Sequence, residues 1–146
     1  MLMKNKIIAF TIFGCIGITA EIFFTAFYNN AVSMMEAQYF NWSLKGESYV
    51  WMFFIYGLAS VLLPIFMEKI MKMPLKGRLL IYATGIFIVE FITGFLLDKI
   101  TGSCPWEYKT GWHIMGYIRL DFLPAWMLFG YLLEQVYLWC KKIGVL

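Results

Sequence analysis

The chain has 146 residues, of which 62% are hydrophobic and only 14% charged, so it carries more apolar surface than a soluble domain of this size can bury, and lipid must cover part of it. A single helical membrane domain over residues 1–146 is expected. The net charge of +3 is small and gathered in short basic clusters, which excludes a role resting on a basic nucleic-acid-binding face and bears instead on orientation in a bilayer.

The first apolar run covers residues 7–28, from Ile7 to Tyr28, behind Lys4 and Lys6, and contains Glu21. A basic start before an apolar run also describes a secretory signal peptide, and Ile12-Phe13-Gly14-Cys15 hints at a lipoprotein cleavage site. Apolar sequence continues well past Cys15 and Phe13 suits that site poorly, so a retained helix is expected. The connection from Asn29 to Glu47, with Met34, Met35, Tyr39, Phe40 and Trp42, is expected to lie along the membrane surface or dip back into the protein. Residues 48–67 form the second run, about twenty residues without a charge and enough for about 30 Å of helix. Pro64 should kink or end it. Met73-Pro74 then interrupts the chain before the third run, residues 79–97, which contains Glu90. A connection rich in glycine and aromatic residues, Asp98 to Tyr117, leads to the fourth run, residues 118–139, with Pro124 in its first turns, where proline is tolerated.

Lysine and arginine set the orientation. Lys4 and Lys6, then Lys69, Lys72, Lys76 and Arg78, then Lys141 and Lys142 fall on one side; the other side holds Lys45, Lys99 and Lys109. The excess of positive charge puts both termini and the second connection in the cytoplasm. The expected fold is an all-α integral membrane protein of four transmembrane helices, multi-pass in the cytoplasmic membrane of the cell. Cys15, Cys104 and Cys140 lie at different depths, so no disulfide within the chain is expected, and no zinc-binding spacing occurs.

Two segments hint at an internal repeat. Trp51-Met-Phe-Phe-Ile-Tyr56-Gly-Leu58 resembles Trp126-Met-Leu-Phe-Gly-Tyr131-Leu-Leu133, and spans one and three each place a threonine a helical turn after a glutamate, Glu21 with Thr25 and Glu90 with Thr93. Two copies of a two-span unit would explain this; so would chance matches in so apolar a chain. At 1.5 Å per residue both carboxylates sit about 10–12 Å below the outer rim. An acid within hydrocarbon is costly and is usually retained for function. Two polar helix faces at one depth predict a shared pocket open to the outside.

Arg119 and Asp121 stand at the outer start of span four. Their i, i+2 spacing does not share a helix face, so direct pairing is not expected, and Arg119 would instead reach toward Glu90 or Glu21. Thr25 and Thr93 also suit plain helix packing. Glu134 is expected to snorkel or pair with Lys141 and Lys142 at the cytoplasmic face. His113, in the outer loop, reads as solvated. Gly14, Gly17, Gly85 and Gly94 are expected to let helices approach closely. Phosphate-loop, nucleophile-elbow and zinc-protease motifs are missing. An enzyme is therefore the less expected reading, and no cofactor or metal is called for.

The outer-loop run Cys104-Pro105-Trp106-Glu107-Tyr108 is distinctive. With Glu21, Tyr49-Val-Trp51-Met, Ile55-Tyr56-Gly57, Pro64, Glu90, Thr93-Gly94, Gly116, Asp121, Pro124 and Trp126, it resembles the ABC-transporter type IV, or CmpB-like, family, which also includes small animal transmembrane proteins. Glu107 stands where the family pattern has an aspartate. The resemblance implies a multi-helix membrane protein with a transport-type role, an ATPase on a separate chain and a homo-oligomer. Cys104, Pro105, Trp106 and Tyr108 would then form a lid over the acids, or else an anchor at the membrane interface.

The leading expectation is thus a permease-type protein that binds a small cationic solute through Glu21, Glu90, Arg119, Asp121, Thr25 and Thr93 in an outward-facing pocket. A non-catalytic membrane subunit or lipid-binding scaffold is the alternative, and a membrane-embedded enzyme acting on a lipid is a second one.

Overall fold

The structure, a computed structural model, describes residues 2–37 and 42–146; the expectations for Tyr39 and Phe40 fall outside them. Helix α1 runs over Leu2–Ala37, α2 over Val50–Ile70 and α3 over Leu75–Thr101. A two-stranded hairpin follows, β1 (His113–Ile114) and β2 (Ile118–Arg119), then a 3-10 turn at Leu120–Phe122 and helix α4 at Leu123–Lys142. The helical class holds, with one short hairpin added. The chain divides into two compact units, Met1–Val61 with Val145–Leu146, and Leu62–Gly144. The division falls within α2.

In the first unit, α1 and the start of α2 meet through small residues. A Cβ on Gly14 would stand 2.8 Å from the Phe53 ring, one on Gly17 would collide with Tyr56, and one on Gly57 would press into the Phe10 ring. Large rings therefore seat directly on helix backbone, the close approach expected of Gly14 and Gly17. α1 does not stop at Tyr28. Residues 29–37 are helical rather than part of a connection, because no proline or glycine interrupts them and the buried Asn30 amide donates back to the Ala26 carbonyl at 3.2 Å. The following segment returns against α1: the Glu47 N–H donates to Thr25 Oγ1 at 2.9 Å, and Gly46 lies on the Ile22 carbonyl, where a side chain has no room.

In the second unit, α2 continues through Pro64 to Ile70; the proline does not end the helix. Pro74, with φ −62° and ψ 150°, caps the start of α3, and Gly102, at φ 83°, ends it by donating its N–H to the Asp98 carbonyl at 2.9 Å. α3 is thus longer at both ends than residues 79–97, since the charged residues of its terminal turns do not break a helix. α4 packs antiparallel on α3. Arg78 meets Glu134, Tyr82 meets Gly130, and Glu90 meets Trp126, so one index falls as the other rises. Ile118 to Phe122 were expected to be α-helical but form β2 and the 3-10 turn; the pairs Ile114↔Ile118 and His113↔Arg119 hold the first two extended. Pro124 lies in the first turn of α4, where its missing N–H costs no helix bond. Gly85 departs from expectation, with open space where its Cβ would be.

Among the described residues, Met3–Glu36, Val50–Ile70 and Leu75–Thr101 are long and apolar enough to cross a membrane. Only 22% of the most apolar stretch of each is buried, so their large side chains need a nonpolar medium around them. α4 is not among the three. Its 20 residues match the length of a span, but Glu134, Gln135 and its polar-tipped rings dilute it.

Candidate functional site around Glu90

Glu90 projects from the middle of α3, and both of its carboxylate oxygens are engaged. Tyr108 donates its hydroxyl to Oε1 at 2.9 Å, and Trp126, on the first turns of α4, donates its indole N–H to Oε2 at 3.1 Å. Both donors are neutral, and together they orient the carboxylate.

Tyr108 reaches Glu90 because the 104–117 loop folds back over α3, and Gly94, one turn beyond Glu90, makes that possible. A Cβ there would lie 3.3 Å from Cys104 Sγ, 3.3 Å from Trp106 Cζ2 and 3.4 Å from Tyr117 Cβ. Gly94 admits a loop rather than another helix. The loop is tied within itself by Trp106, whose indole N–H donates to the Tyr117 carbonyl at 3.1 Å. It is tied to α3 by Tyr117, whose hydroxyl donates to Asp98 Oδ2 at 2.9 Å and whose ring stands edge-on to Phe91 and Phe95. That bond raises the Tyr117 hydroxyl pKa, since ionisation would set two negative charges side by side. Burial pushes the Cys104 thiol up as well. Trp106 and Tyr108 thus turn onto the helix. Beside them lies a depression of about 200 Å³ lined by Asp98, Gly102, Ser103, Cys104, Glu107, Met115 and Tyr117.

Arg119 and Asp121 do pair. Arg119 Nη2 lies 2.8 Å from Asp121 Oδ2, and Nε donates to the same carboxylate at 3.0 Å. The helix-face argument against this pair fails because Arg119 is extended in β2 and Asp121 sits in the 3-10 turn. The guanidinium covers the Phe122 ring at 4.4 Å and lies against Gly111, whose missing side chain leaves it room. The bond to Arg119 holds the Asp121 carboxyl below the usual aspartate range.

Glu21 belongs to the first unit. It accepts the Ser48 hydroxyl at 2.7 Å and a further hydrogen bond from Tyr56. Thr25 serves the backbone of Glu47, and Thr93 donates to the Val89 carbonyl of its own helix at 2.7 Å. The hinted repeat fails at side-chain level. Tyr56 serves Glu21, yet its counterpart Tyr131 is exposed; Trp126 serves Glu90, yet its counterpart Trp51 is exposed.

Glu134 corrects the sequence reading. It is 2% exposed, and its partners are Arg78 at 3.2 Å and the Tyr82 hydroxyl at 2.6 Å, with Met67 Sδ beside that hydroxyl. Residues two helical turns along α4 cannot compete with an arginine and a tyrosine of the facing helix. Arg78 counted only toward orientation in the sequence; its i, i+4 spacing to Tyr82 was the signal available. Ser48, Asp98 and Tyr117 gave no such signal, since only folding of the connections brings them to their partners. Among the described residues, no cluster of histidine, cysteine and acids could hold a metal ion.

Apolar helices of spanning length, holding hydrogen-bonded acids along their length, define a multi-pass membrane protein. More particularly, the chain belongs to the family described as "Putative ABC-transporter type IV", which matches residues 8–143. No solved structure matches the chain.

Proposed function

We propose that the protein is the membrane-spanning part of a transport system and that it binds a small cationic solute at Glu90, beneath the 104–117 loop. The observation that carries this reading is the Glu90 carboxylate, set in an apolar helix and aimed by two neutral donors, Tyr108 and Trp126. A half-buried carboxylate oriented in this way attracts a partly desolvated cation. The adjacent depression, with Asp98 and Glu107 in its lining, supplies an approach of matching charge. Arg119 and Asp121 offset each other's charge, and the Cys104-to-Tyr108 run acts as the lid. Glu21, hydrogen-bonded to Ser48, is a second acid open to the same chemistry in its own unit.

On this reading α4 is the fourth crossing, supported by its antiparallel register along α3, and both termini are cytoplasmic, supported by the lysine and arginine distribution. Family membership supports a transport role in which a separate chain hydrolyses ATP and several copies of this one assemble in the cytoplasmic membrane. A non-catalytic subunit has one observation in its favour: Glu21, Glu90 and Glu134 are all bonded to neighbouring segments, as polar groups that only join helices would be. Uptake of labelled sodium, potassium, magnesium and small alkylammonium ions into vesicles separates the two. Transport predicts uptake of one ion that Glu90→Gln abolishes while the protein stays folded. Loss of fold in Glu90→Gln, with no ion taken up by the parent protein, supports the subunit reading.

A further inference from the structure

The tip of the β1–β2 hairpin combines two features that do not belong in water. The turn closes with the Tyr117 N–H donating to the Ile114 carbonyl at 3.0 Å, and its central residues, Met115 at φ 52° and Gly116 at φ 76°, are both left-handed. Positive φ at both centres is the requirement of a primed hairpin turn, which favours asparagine, aspartate or glycine at the first centre. Met115 is the one described non-glycine residue with positive φ, and its long apolar side chain is 68% exposed. Beside it Ile114 is 43% exposed and Trp112 77%. A turn residue that folds less well and is also apolar in the open calls for an apolar neighbour.

The place of the tip says which neighbour. Met115 lines the same depression as Gly102 and Ser103, so the tip lies next to the end of α3. The 27 residues of α3 make about 40 Å of helix, about 10 Å more than a hydrocarbon core. The charges of its last turn, Asp98 and Lys99, set that end in the headgroup layer, and the exposed apolar face of α3 continues to it through Ile100. Tryptophan is favoured at this depth. Trp106 and Tyr108, the rings expected to anchor the loop, are turned onto α3 and leave that task to others.

We propose that the hairpin tip is a bilayer anchor, immersing Trp112, Ile114 and Met115 in the interfacial layer and so holding the 104–117 loop against the membrane. The proposal rests on the membrane reading and not on the solute. It is tested with the full chain in phosphatidylcholine vesicles. The emission of Trp112 is taken as the difference between the parent protein and Trp112→Phe, and quenching is compared for lipid with a nitroxide near the headgroup and for aqueous iodide. Immersion predicts that lipid nitroxide lowers this emission about twofold or more and that iodide has little effect. Met115→Asn, which suits the turn better, should stay folded and weaken the nitroxide quenching. Free access of iodide without nitroxide quenching overturns the anchor, since the tip is then in water. Protection from both also overturns it, because the tip is then covered by protein. Unchanged nitroxide quenching in folded Met115→Asn overturns the part given to Met115.

Discussion

Arg78, Tyr82 and Glu134 form an ion pair and hydrogen bond away from water, and removing one partner strands the other's charge. Arg78→Leu should lower unfolding stability in detergent by about 3 kcal/mol, whereas Arg78→Leu with Glu134→Leu should recover most of that loss. Equal losses in the single and double variants would mean that packing, not charge, is at stake. In the Arg119–Asp121 pair the aspartate is exposed and the arginine largely covered, and the pair acts through titration. Its arginine depresses the Asp121 pKa in the folded state, so the contribution is full above the ordinary aspartate range and is lost as pH falls through the depressed value. Arg119→Gln should move the Asp121 titration back up, followed by the carboxyl carbon shift in NMR; an unmoved titration would contradict the pair. The sequence picked out Glu90, Arg119 and Asp121 but misjudged the pairing of the last two. A spacing rule for helices says nothing once one residue is extended and the next lies in a tight turn.

Seating of the 104–117 loop on Gly94 is a property of the element and not of any one bond. Gly94→Leu should lift Cys104, Trp106 and Tyr117 off α3, and the buried, weakly acidic Cys104 thiol should then react with maleimide about tenfold faster or more. Unchanged labelling would mean that the loop is held from elsewhere. The helices themselves were legible because hydropathy and proline positions mark them, while their ends were not. α1 runs on to Ala37 because nothing in residues 29–37 forbids helix, and α4 starts late because Ile118 and Arg119 pair across a hairpin. The hairpin was hidden in the sequence because its turn uses Met115 where asparagine is the usual signal.

Over the whole molecule, the membrane class and the family were both readable, since each draws on features spread along the chain: long apolar runs for one, scattered motif residues over 8–143 for the other. The common pocket expected for Glu21 and Glu90 was drawn from equal depth alone; Glu21 bonds to Ser48, and Glu90 bonds to Tyr108 and Trp126. The proposed orientation is tested by labelling intact cells with a membrane-impermeant maleimide. Met71→Cys and Val145→Cys should react only after permeabilisation, and Lys109→Cys, at an exposed position, before it. Reaction of Met71→Cys in intact cells would reverse the topology.

The solute reading meets its most direct test in calorimetric titration of the purified protein with sodium, potassium, magnesium and small alkylammonium salts. One cation should bind the parent protein, about tenfold or more weaker in Tyr108→Phe and undetectably in folded Glu90→Gln. Binding that survives intact in Glu90→Gln, or a parent protein that binds none of these ions, would contradict the assignment of Glu90 as the cation's partner.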